Sequence, residues 1–196
     1  QMKLSVLLAK KYKGAVMPLV AYDPFRDVKN NGRTLKDTID YLTNFGAIGV
    51  KIYPPMGFRV YGNTGLSFCN IDINNLGEKL DQRLLSLYKY CAKNDIPILA
   101  HTARSNKNGI CSDDYIERAH PKHWREVLEM EERKNLRINL GHFATHSKLE
   151  NNEWSDSIRY LMTTYENVYA DLSHIEELGA SKYRSRFFRE LKRFIY

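Results

Sequence analysis

The chain has 196 residues, 43 % of them hydrophobic and 27 % charged, with a formal net charge of +7. This is the composition of a globular protein with a sizeable core, and one domain over 1–196 is the expectation. It argues against a membrane partner, because no apolar run approaches the ~20 residues of a span. It also argues against nucleic acid, because the basic residues are scattered among acids and no basic run carries exposed aromatics at regular spacing.

Cys69, Cys91 and Cys111 are odd in number and lack metal-like spacing, which fits a reducing, cytoplasmic compartment. The first segment, 2–13, reads as an amphipathic helix closed by Gly14. The apolar run 15–21 then reads as a strand with Asp23 at its end, followed by a polar loop through Asn30, Asn31 and Gly32. Thr34 is the expected N-cap of a helix with Leu35, Ile39 and Leu42 at helical spacing and Gly46 as its stop.

In the strand 48–53, alternation places Ile48, Val50 and Ile52 on one face and Gly49, Lys51 and Tyr53 on the other. Pro54 and Pro55 end it. The stretch to Asn75 is longer than a connection needs and reads as a lid or binding segment. A helix over 76–93 carries Leu80, Leu84, Leu87, Tyr88 and Cys91 on one stripe and leads through Asn94 and Asp95 into the run 96–102, Ile-Pro-Ile-Leu-Ala-His-Thr. That run reads as a buried strand delivering His101.

A polar loop from Thr102 to His120 contains Arg104. Pro121 starts the next helix, with Trp124, Val127 and Leu128 inward and His123 on the surface. The run 137–142, Arg-Ile-Asn-Leu-Gly-His, repeats the device with His142. After a third long loop come a helix over 155–165, with Ile158, Leu161 and Met162 inward, and a strand ending at Asp171. A last helix, capped by Ser181, carries Tyr183, Phe187, Leu191 and Phe194 at helical intervals, with the Phe187/Phe188 pair in the core.

Strands alternating with helices specify an α/β fold with a parallel sheet and right-handed crossovers. Helix-to-strand joins are short, whereas most strand-to-helix loops are long and polar, so the site belongs at the C-terminal ends of the strands. No G-x-G-x-x-G follows a strand and no P-loop is present. Each strand ends instead in a polar residue: Asp23, Lys51, His101, His142, Asp171. This favours a (βα)8 TIM barrel, of which only the middle units, about strands 3 to 7, are readable against the roughly 250 residues of a whole one.

Within their strands, His101 shares a face with Leu99 and Pro97, and His142 with Leu140 and Ile138, so both are expected to point into the barrel mouth. Neutral imidazoles on neighbouring strands suit a catalytic Zn²⁺-type ion, whose bound water becomes a nucleophile; the alternative is a hydrogen-bonded core histidine in each case. Lys51 faces inward and needs an anion: a substrate carboxylate, a neighbouring Asp, or its own carbamate bridging two metals, with a structural ion pair as the alternative. Asp171 lies inward with Tyr169 and Ser173, where it orients a histidine, binds substrate or makes a structural hydrogen bond. Arg104 and Tyr53 are the candidate substrate contacts, Arg104 as a bidentate clamp on an anionic group. His146 and His174 are second-rank candidates on loops.

Five segments together resemble the amidohydrolase superfamily, in the branch of metal-dependent hydrolases and aminocarboxymuconate and resorcylate decarboxylases. They are Gly-Ala-Ile-Gly-Val-Lys-Ile-Tyr-Pro at 46–54, the run 96–102, His-Pro-Lys-His-Trp-Arg-Glu-Val-Leu at 120–128, Ile-Asn-Leu-Gly-His at 138–142 and Asn-Val-Tyr-Ala-Asp-Leu-Ser at 167–173. The resemblance implies that His101 is like the fifth-strand metal ligand. His142 is like the sixth-strand histidine that binds a second metal or polarises the scissile group, and Lys51 occupies the position some binuclear members carboxylate. The family's first-strand His-x-His pair and eighth-strand aspartate have no counterpart here; on the barrel count they fall before Gln1 and after Tyr196, so the segment alone is expected to be incomplete and inactive.

The function these readings imply is a metal-dependent hydrolase acting on a small, acidic or cyclic substrate, with His142, Lys51 and Asp171 catalytic and His101 and His142 on the metal. A decarboxylase on the same scaffold, or a barrel that has lost its metal site, are the alternatives. Zn is the first expectation for the ion, with Fe, Mn or Ni also suited to histidine. The expected partner is a small-molecule substrate, and self-association as a homodimer is left open.

Overall fold

The computed structural model describes residues 2–68, 71–103, 117–144 and 153–173, together with 184, 185, 188, 189 and 191–193. Five strands, β1 (Leu19–Ala21), β2 (Gly49–Ile52), β3 (Ile98–His101), β4 (Ile138–Gly141) and β5 (Val168–Ala170), form one sheet in the order 1-2-3-4-5 with every neighbouring pair parallel. Sequential parallel order is what right-handed βα units produce when they progress in one direction, as around a TIM barrel. The α-helices between and around the strands include α1 (Met2–Lys11), α2 (Pro24–Lys29), α3 (Arg33–Asn44), α4 (Leu76–Lys93), α5 (Trp124–Leu128) and α6 (Glu153–Thr164). None of them is long and apolar enough to cross a membrane.

The two faces of the sheet differ. Val20, Val50, Ile52, Ile98, Ala100, Ile138, Leu140 and Val168 are buried on the helix side, most of them completely, against Leu80, Leu84, Leu87 and Tyr88 of α4 and Ile158 and Leu161 of α6. Each such Val, Leu or Ile is worth roughly 1.5–3 kcal/mol when fully buried. The opposite face bears Ala21, Lys51, Leu99, Asn139 and Tyr169 in register and is only half-buried or exposed.

Several elements differ from the sequence expectation. The run 15–21 is a strand only from Leu19, and Asp23 does not close it as a site residue: its side chain accepts from the N–H of Arg26 at 3.1 Å and caps α2, with Pro24 at the first helical position. Thr34 is not an N-cap, because α3 starts a residue earlier behind left-handed Gly32. The capping role falls to Asn30, whose Oδ1 accepts from the N–H of Thr34 while its Nδ2 donates to Thr34 Oγ1. Ile48 precedes β2 and is 46 % exposed instead of sharing the buried face. His123 is half-buried instead of lying on the surface, and burial together with the Arg59 and Lys122 charges pushes its imidazole down to about 4. Phe188 is 47 % exposed and not in the core, whereas Phe187 and Ser181 lie outside the described residues.

The stretch after β2 is not an open lid where it is described. Phe58 and Val60 enter the core, Tyr88 Oη donates to the Val60 carbonyl at 2.9 Å, and the fully buried Asn63 donates from its backbone and side chain to Asp81. A Cβ on Gly77 would lie 2.2 Å from the Asn63 carbonyl oxygen, so only glycine lets this strap approach α4.

The start of the chain is pinned by a buried carboxylate. Asp27, fully inaccessible, accepts from Tyr22 Oη at 2.9 Å and from the N–H of Leu35 at 2.8 Å, with Arg83 Nε 3.9 Å away. Burial and that carboxylate hold the Tyr22 hydroxyl well above its ordinary pKa, so it stays a donor. Asp27→Ala removes the acceptor of the Tyr22 hydroxyl and of the Leu35 N–H and is expected to cost about 1–3 kcal/mol. Urea unfolding checks this: the midpoint falls with the slope unchanged, whereas an unaltered midpoint contradicts the assignment.

Candidate functional site

The strand ends assemble a cluster on the half-open face. Ile52 pairs with Ala100, which puts Tyr53 beside His101, and their rings lie 4.6 Å apart. His101 pairs with Gly141, and Leu140 with Ala170, which sets Asp171 next to Gly141. The row across the sheet is therefore Tyr53, His101, Gly141, Asp171. Gly141 leaves the middle of it without a side chain.

His142 reaches the cluster by a route that alternation does not give. Because His101 is in register with Gly141, Leu140 and Ile138 belong to the buried helix face, and a straight strand would send His142 there too. The strand instead stops at Gly141. His142 and Phe143 adopt left-handed backbone conformations, with φ of 70° and 49°, and the turn carries the imidazole back over the row. The His101 and His142 rings meet edge to face with centroids 4.7 Å apart. Left-handed conformations cost non-glycine residues of order 1–2 kcal/mol each, and such strain persists only where surroundings over-determine it.

Asp171 supplies that constraint. Its Oδ1 accepts from the backbone N–H of His142 at 3.1 Å, from the N–H of Ser173 at 2.9 Å and from Ser173 Oγ. Its Oδ2 accepts from Asn139 Nδ2 at 2.9 Å. Burial alone would push this carboxyl up, but the hydrogen bonds from Ser173 and His142 outweigh it and hold the pKa below the usual range. With both oxygens engaged, Asp171 is an anchor for the turn. Thr102 Oγ1 donates to the Gly141 carbonyl at 2.8 Å and ties the end of β3 to the same place.

Ser173 also fixes the chemistry of His142. Its carbonyl lies 3.2 Å and its Oγ 3.0 Å from His142 Nδ1. A carbonyl only accepts, and the hydroxyl proton is committed to Asp171, so in the neutral ring Nδ1 carries the hydrogen and Nε2 the lone pair. Asn139, Thr102 and the role of Ser173 are what sequence reasoning missed. Asn139 is the one polar residue inside an apolar strand, but its place on the face of Lys51 follows from the strand register alone.

Lys51 lies on that face one step back along the strands. Burial pushes its amine below the ordinary lysine value, while the Asp171 charge raises it and partly offsets the effect. Arg104, His146 and His174 lie outside the described residues. The structure therefore brings together His101, His142, Asp171 and Tyr53, with Lys51 beside them on the same face.

Two adjacent imidazoles, one with Nε2 free of its proton, are donors a borderline divalent ion accepts. No group of three or more His, Cys, Asp or Glu placed to hold a metal occurs among the described residues. The fit to an ion is thus that of a histidine pair, with Asp171 behind it as the group that orients a ligand.

Two outcomes are expected. Long-range 1H–15N spectra of neutral His142 show the Nδ1–H tautomer; an Nε2–H signal contradicts the Ser173 assignment. Asp171→Asn removes the charge that raises Lys51, so the Lys51 amine becomes neutral at lower pH than in the wild type, as read by pH-dependent amine labelling; an unchanged or raised midpoint contradicts the coupling.

The family model Amidohydro_2, described as amidohydrolase, matches residues 5–195. No curated protein and no solved structure matches the chain.

Proposed function

The chain belongs to the amidohydrolase family, and from that premise we propose that it forms part of a TIM-barrel metal-dependent hydrolase acting on a small, acidic or cyclic substrate. The observation that carries the reading is the His101–His142 pair, 4.7 Å apart at the C-terminal ends of adjacent parallel strands. His101 and His142 would hold a divalent ion, Zn first among Zn, Fe, Mn and Ni. Such an ion, when bound, activates water as a nucleophile at neutral pH.

The remaining roles fall to the chain's own residues. Ser173 and Asp171 keep His142 in the tautomer whose Nε2 accepts, and Asp171 holds the turn that brings it over His101. Lys51 offers a cation on the face where the substrate's acidic group would rest, and its lowered pKa suits a site meant to receive an anion or a carbamate. Tyr53 flanks His101 with an aromatic surface. Arg104, three residues beyond His101, is assigned to the substrate's anionic group from its sequence position.

The Tyr53 ring and the Lys51 cation on one face also favour a second reading, decarboxylation of an aromatic acid on the same scaffold. Elemental analysis of the protein expressed from its complete reading frame tests the shared premise. About one or two transition-metal ions per chain are expected, with at least one lost in His101→Ala. A wild type that takes up no metal when supplied with it contradicts both readings and leaves a binding barrel.

A further inference from the structure

A second concentration of chemistry lies on the outer side of the molecule. Arg159 of α6 faces Ser185, Phe188, Arg189, Lys192 and Arg193 across a groove of about 620 Å³, within the size range of small-molecule sites. It shares no residue with the strand-end cluster. Three arginines and a lysine line it, and Arg193 Nη2 holds Asp156 Oδ1 at 2.8 Å. Arg159, Arg189 and Lys192 make no ion pair among the described residues. Elsewhere Arg125 holds Glu129 and Arg137 holds Asp95, each at 2.7 Å.

Cations that share one cavity repel each other and gain from a common anion, more so than cations spread over an open face. Guanidinium forks from opposite walls suit tetrahedral oxyanions, which accept two bonds from each fork, and Ser185 adds a hydroxyl. Phe188, 47 % exposed at the rim, gives an apolar flank. The positive surface is short. The neighbouring groove is lined by Glu153 and Asp156 as well as Lys122 and Arg125, so a long polyanion leaving the first groove would meet carboxylates.

We propose that this groove is a binding site for a small, multiply charged phosphate compound, a diphosphate or a phosphate ester. Its oxygens lie between Arg159, Arg189 and Lys192, and its organic part rests against Phe188. Titration calorimetry of the full-length protein with pyrophosphate and with phenyl phosphate tests it. The expected result is one saturable site per chain, weakened at least about tenfold by Arg189→Glu/Lys192→Glu and by Arg159→Glu on the opposite wall. Affinity also falls with added salt, and Lys36→Glu on the exposed side of α3 has no effect. Circular dichroism confirms that the variants are folded. The proposal is overturned if neither compound saturates below about 10 mM, if the charge reversals leave binding unchanged, or if an oligonucleotide binds more tightly than pyrophosphate at the same salt.

Discussion

The candidate site depends on one carboxylate. Asp171 receives the N–H of His142, the N–H and hydroxyl of Ser173 and the amide of Asn139, and so spans the ends of β4 and β5. Those bonds help to offset the left-handed backbone at His142 and Phe143, whereas a relaxed, extended chain would carry the imidazole toward the helix layer. The bonds that hold the turn also hold the carboxylate ionised. Its low pKa, the strained backbone and the meeting of two histidine rings are therefore one arrangement described at three levels.

The sheet makes the arrangement rigid. Its helix face is packed to complete burial by α4 and α6, so the strand ends cannot shift without opening a close-packed layer. The other face is where Lys51, Asn139 and Tyr53 stand, and it is polar enough to receive a ligand. A parallel α/β sheet delivers function at the C-terminal ends because every strand there leads into a loop free to carry chemistry. Here the described parts of those loops differ in kind: the one after β2 is a packed strap on α4, whereas the one after β4 begins with the strained turn.

Much of this was legible in the sequence. Five apolar runs alternating with helices specify the parallel sheet, and His101 and Asp171 sit at the strand ends where the sequence reading places them. The resemblance carried by the five segments agrees with the family match over 5–195. His142 lies beside His101, but not by the alternation read from the sequence. Counting back to Leu140 and Ile138 assigns it to a face, but register is a property of two strands, and only the pairing of His101 with Gly141 reveals that those leucine and isoleucine residues face the helices. Asp23-Pro24 was equally ambiguous, since the signal that ends a strand is also the one that starts a helix. Thr34 failed because its near neighbours Gly32 and Asn30 start and cap the helix, and Ile48, His123 and Phe188 failed because exposure and burial are decided by neighbours distant in sequence.

In the proposed function the turn at His142 would bring its imidazole to His101 as a second donor to one ion. A crystal structure of the zinc-loaded protein, with anomalous scattering recorded at the zinc edge, tests this most directly. The expected result is an anomalous peak at about 2.0–2.1 Å from an imidazole nitrogen of His101 and from Nε2 of His142, with Ser173 still on Nδ1. A peak bound through His142 Nδ1, or zinc held away from both histidines, would contradict it.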